Sequence, residues 1–82
     1  MRKDPNITQL WHLRIGHDSF NSDKVDRALL DLTADAEDSE LFLGCPAAYP
    51  YVEAYYTNEA DALAASKAIR RYLSSRKIKI NP

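Results

Sequence analysis

Tyr51-Val52-Glu53-Ala54-Tyr55-Tyr56 is the stretch on which the fold turns. Its aromatic and β-branched residues favour a strand, and a strand sends alternate side chains to opposite faces of a sheet. Burying Tyr51 and Tyr55 would bury Glu53 with them, and an unpaired buried carboxylate is costly. Val52, Ala54 and Tyr56 are therefore expected inward, and Tyr51, Glu53 and Tyr55 outward. Pro46 and Pro50 bracket a turn before this strand, because each removes a ladder donor.

Downstream, Thr57 or Asn58 caps a helix, with Asp61 three residues after Asn58 in the manner of a capping box. Ala62, Ala65, Ile69 and Leu73 form its apolar stripe. Lys77-Ile78-Lys79-Ile80 alternates as a short closing strand. Upstream, Glu40-Leu41-Phe42-Leu43-Gly44-Cys45 reads as a strand. Before it, Asn21 or Ser22 caps a helix on which Val25, Ala28, Leu29, Leu32 and Ala36 recur at helical spacing, fraying where Asp35, Glu37 and Asp38 meet the negative end of the dipole. Thr8–Ile15 alternates as the first strand, and Gly16 ends it. The order is β-α-β-β-α-β. In a chain of 82 residues it predicts an α+β fold of the ferredoxin-like split type: a four-stranded antiparallel sheet in the order 4-1-3-2, with both helices on one face. Residues 1–82 are expected to form one domain, with 1–6 as an N-terminal extension.

The same parity assigns the other strands. Trp11, Leu13 and Ile15, Leu41, Leu43 and Cys45, and Ile78 and Ile80 are expected inward. The open face then reads Lys77 and Lys79, His12 and Arg14, Tyr51, Glu53 and Tyr55, and Phe42, with Tyr49 at the margin. A basic edge runs into an aromatic centre. Contiguous exposed aromatics mark interaction surfaces, and Tyr and Arg are enriched at binding hot spots.

Eleven Lys and Arg residues against twelve Asp and Glu leave a net charge of −1, which excludes a uniformly basic nucleic-acid binder. That sum hides a separation. Asp18 to Glu40 carries a net −6, and Lys67 to Pro82 a net +6. Asp31 and Asp35 give the first helix an acidic surface. The single Cys45 forms no internal disulfide, and no secretory leader or membrane span is visible, so a cytoplasmic setting is expected.

Ala47-Ala48-Tyr49-Pro50-Tyr51-Val52-Glu53-Ala54 resembles the third-strand signature of the RNA-recognition motif at Tyr49, Tyr51 and Val52, and departs from it at Ala47, Ala48, Pro50 and Ala54. The resemblance implies that Tyr49 and Tyr51 stack on bases. With His12 stacking and Arg14, Arg76, Lys77 and Lys79 on phosphates, single-stranded nucleic-acid binding is the alternative reading.

Catalytic signatures are close to absent. His17-Asp18-Ser19 holds the residue types of a triad, but three consecutive residues do not converge as a triad must. His12, His17 and Cys45 fit no closed zinc pattern, and Gly16 and Gly44 build no phosphate loop. Cys45 reads as a small buried hydrophobe. No cofactor, metal or small-molecule substrate is expected. The leading expectation is a non-enzymatic protein-binding module or inhibitor, of the kind mobile elements such as phages use against host defences. Its contact residues are Tyr49, Tyr51, Tyr55, Phe42, His12 and Arg14 on the sheet, or Asp31 and Asp35 on the helix, and a second copy of the chain is one candidate partner.

Overall fold

The computed structural model describes residues 2–3 and 10–81. Its elements are β1 (Arg2–Lys3), β2 (Trp11–His17), α1 (Asp23–Leu32), β3 (Asp38–Phe42), β4 (Tyr51–Tyr56), α2 (Glu59–Ser75) and β5 (Ile80–Asn81). The fold is α+β: an open antiparallel sheet and two helices. β2 lies beside β4, and β4 beside β3. The other side of β2 is shared by two short strands, β1 opposite Trp11 and His12 and β5 opposite Gly16 and His17. Arg2 and Lys3, expected in an extension, are thus part of the sheet. The rest of that extension and the expected strand residues Thr8 and Gln9 lie outside the described residues.

Alternation in β4 builds the core as the sequence predicts. Val52, Ala54 and Tyr56 are buried, and they meet Leu13 and Ile15 of β2, Val25 and Leu29 of α1, and Ala62, Ala65, Ile69 and Leu73 of α2 in one cluster. Burying side chains of this size contributes about 1.5–3 kcal/mol each for the larger ones, before the loss of chain entropy is set against it. The helices begin where their caps place them. The Ser22 hydroxyl accepts from the Val25 N–H at 3.3 Å, and the Asn58 side chain accepts from the Asp61 N–H at 2.8 Å while donating to the Asp61 carboxylate.

Four boundaries differ from expectation. β2 runs past Gly16 to His17, whose N–H donates to the Pro50 carbonyl at 3.0 Å and whose ring is buried. α1 stops at Leu32, short of Ala36, where the buried Thr33 hydroxyl donates to the Leu29 carbonyl and ends the helix among acidic residues. β3 begins at Asp38 and ends at Phe42. Gly44 (φ +89°) then turns the chain away, and Cys45 and Ala48 bond each other across Pro46-Ala47. Leu43 and Cys45, expected inward, are consequently exposed.

The fourth difference concerns the last strand. Lys77 takes the left-handed conformation (φ +58°) just past α2, the Lys77 N–H bonds the Ser74 carbonyl, and the Ile78 N–H bonds the Leu73 carbonyl. This is a Schellman closure. Ile78 and Ile80 still pack on the core, but Lys77 belongs to the helix end and not to the open face. No helix among the described residues is long and apolar enough to cross a membrane.

Candidate functional site

The face of the sheet away from the helices is organised in three rows fixed by strand register. The first row is His12, Tyr55 and Asp38; the second is Arg14, Glu53 and Glu40; the third is Asn81, Gly16, Tyr51 and Phe42. β4 supplies the middle of every row, since its odd-numbered residues point away from the core.

Two contact groups stand on this frame. At one end, His12 Nε2 lies 2.6 Å from Glu53 Oε2, and its ring stacks on Tyr55 with centroids 4.8 Å apart. At the other end, the Arg14 guanidinium sits 3.9 Å from the centre of the Tyr51 ring, a cation–π geometry, and Phe42 packs on Tyr51 at 5.2 Å. Arg14, Gly16, Phe42 and Tyr51 floor a shallow concavity of about 660 Å³, walled by Ala48, Tyr49 and Pro50. Tyr49 is more than half exposed and touches Phe20 at 5.9 Å between centroids. A Cβ on Gly44 would lie 2.8 Å from the Phe20 ring, so the bare glycine leaves room for Phe20 to pack on the turn.

Sequence reading places His12, Arg14, Phe42, Tyr51 and Tyr55 on this face, and they do meet there. Its expected basic edge loses Lys77, which closes α2. Lys77 and Arg76 sit at the end of α2, with Arg76 5.7 Å from the Tyr72 ring, and Lys79 precedes β5 at the margin, its carbonyl accepting from the Asp18 N–H. Within β2, β3 and β4, the charged residues of the open face are Arg14 against Asp38, Glu40 and Glu53. Asp38 is missing from the sequence-derived face because the strand is expected to start only at Glu40, and Glu40 is missing although it begins that expected strand. The signal was present: if Leu41 faces inward, Glu40 and Asp38 face outward. Phe20, assigned only to a loop, is a second aromatic that the reading passes over.

Asp31 and Asp35 are exposed on and just after α1, and Asp35 accepts from the Tyr56 hydroxyl at 3.3 Å. Burial and this carboxylate together push the Tyr56 phenol well above its usual range. The acidic segment continues through Glu37 into Asp38 and Glu40, so acidic surface and aromatic face adjoin along β3.

The residues weighed for chemistry do not converge. His17 is buried on the helix side, and its Nδ1 accepts from the Ser19 backbone N–H at 3.1 Å. Burial lowers its pKa, opposed by the charges of Asp26 and Asp18. Burial also raises the pKa of Asp26. No group of three metal-ligating side chains occurs among the described residues. Comparison with protein families, with curated proteins and with solved structures finds no match.

Proposed function

We propose that this chain is a small, non-enzymatic protein-binding module of the ferredoxin-like split β-α-β-β-α-β type, and that it docks through its open sheet face. The fold assignment rests on the order of the four main strands, last-first-third-second. One observation carries the functional reading: the exposed Arg14 guanidinium and the half-buried rings of Tyr51 and Phe42 pack together beside Glu53, Glu40 and Asp38. Aromatic area supplies affinity at protein interfaces, and the neighbouring carboxylates select a partner surface that is apolar and basic. Inhibition of such a partner, the anti-defence mode that the acidic helix suggests, is the narrower form of the same proposal, in the cytoplasm of a cell or of an infected host. A nucleic-acid strand crossing β3 would have to lay phosphates beside the exposed carboxylates of Asp38 and Glu40, which disfavours the alternative reading.

The test compares the protein with a Phe42→Ala/Tyr51→Ala variant by light scattering, by co-purification from its own cells and by oligonucleotide titration. The expected result is a protein complex or self-association lost in the variant, with no oligonucleotide binding at about 50 mM salt. Tight oligonucleotide binding that falls steeply with salt would replace this proposal with the alternative.

A further inference from the structure

Among the described residues β3 pairs with β4 alone, which leaves its outer edge free. In an antiparallel ladder, successive residues turn their peptide groups alternately to one neighbour and to the other. The bond from the His17 N–H to the Pro50 carbonyl fixes that alternation: even-numbered residues of β4 bond β2, and odd-numbered ones bond β3. Tyr51, Glu53 and Tyr55 thus engage Phe42, Glu40 and Asp38, and the N–H and C=O groups of Ser39 and Leu41 point outward. Such an edge is a template for another strand.

The side chains along it define which strand. Asp38 and Glu40 are exposed and have no ion-pair partner among the described residues. Glu40 stands directly across from Glu53, and like charges in that position cost stability. A second copy pairing antiparallel on the same edge would add its own Asp38 and Glu40 to these carboxylates, so the edge rejects itself. A strand carrying cations at alternate positions would instead neutralise both, and an apolar residue two positions further on would cover Phe42.

We propose that the free edge of β3 accepts an extended segment of a partner protein by strand addition parallel to β3, the segment having Lys or Arg at two positions two residues apart, facing Asp38 and Glu40, and an apolar side chain two positions further towards its C-terminus, facing Phe42. This rests on the open face being a protein-binding surface, which the added strand would widen by one column.

The probe is an end-blocked peptide containing Lys-Val-Lys-Val-Phe, titrated into the labelled protein and followed by amide NMR and hydrogen exchange. A control peptide has the same composition in the order Lys-Lys-Phe-Val-Val. The alternating peptide is expected to shift the Ser39 and Leu41 amides and slow their exchange, and the control is not. Glu40→Lys should weaken binding by about tenfold or more while leaving the melting temperature unchanged or raised. A Lys-Val-Lys-Val-Phe peptide N-methylated at the backbone should lose the Ser39 and Leu41 response. Shifts confined to Arg14, Tyr51 and Phe42, with the β3 amides unmoved, would overturn strand addition and leave the open-face reading standing. Equal protection by both peptides, or none by either, would also overturn it, while the open-face reading is decided by the partner experiment above.

Discussion

Along β4, neighbouring residues live in two different environments. Val52, Ala54 and Tyr56 lie under the helices with almost no exposed surface, while Tyr51, Glu53 and Tyr55 alternate with them on the other side and stay partly open. The covered side is apolar and is closed by two helix stripes. The open side carries aromatic rings, a guanidinium and three carboxylates, with a like-charge pair, Glu40 and Glu53, across β3 and β4 that costs stability. The difference separates residues sealed in the core from residues that touch one another across strands and still face outward.

The sharpest way to break this contrast is to truncate one side chain on each face. Leu29→Ala, in the core, is expected to cost about 2–5 kcal/mol in chemical denaturation. Tyr51→Ala, on the open face, is expected to cost under about 1 kcal/mol, since it leaves no sealed cavity. Equal losses would mean that the open face is structural. Next in size is Gly44→Ala. The positive φ and the close approach of Phe20 and Pro50 both oppose a Cβ there, so a loss of about 1–3 kcal/mol is expected, together with a change in Phe20 and Tyr49 ring signals.

The pH dependence should come from the covered side. The folded-state pKa of His17 lies below its ordinary value of 6.5, so the ring is neutral in both states above that pH and contributes no slope there. As pH falls through 6.5, the unfolded chain takes up a proton that the folded chain resists, and stability falls. Protonating Nδ1 would also break its bond from the Ser19 N–H. Asp26, whose pKa is raised from 3.8, acts in the opposite sense at lower pH. Thermal melts from neutral to mildly acidic pH should show the decline, and His17→Asn should flatten it. The smallest expected effect is a gain. Lys77→Gly relieves a side chain held at φ +58° and should stabilise the fold by up to about 1 kcal/mol, provided the Schellman bonds persist.

Much of this contrast is legible in the residues themselves. β4 has the expected parity because Glu53 forces it, and α2 starts just after its Asn58 cap because the cap chemistry is local. What escapes the sequence are places where one backbone conformation overrides a periodic pattern. Leu43 and Cys45 continue the alternation of β3 on paper, yet Gly44 turns the chain before either reaches the core. Lys77-Ile78-Lys79-Ile80 alternates like a strand, yet a non-glycine residue adopts the left-handed closure of α2 and spends half of that pattern on the helix end. Both misreadings bear on the candidate site. The first extends β3 past Phe42, where the turn around Gly44 begins, and the second puts Lys77 on a face that it does not reach.

The central claim is that the open face is dispensable for folding and required for binding. Measuring the thermal melt and the partner or self-association of Phe42→Ala/Tyr51→Ala in the same preparation tests it most directly. The account predicts a cooperative melt shifted by only a few degrees, with association abolished. A variant that unfolds, or one that melts normally and still associates at full strength, would contradict it.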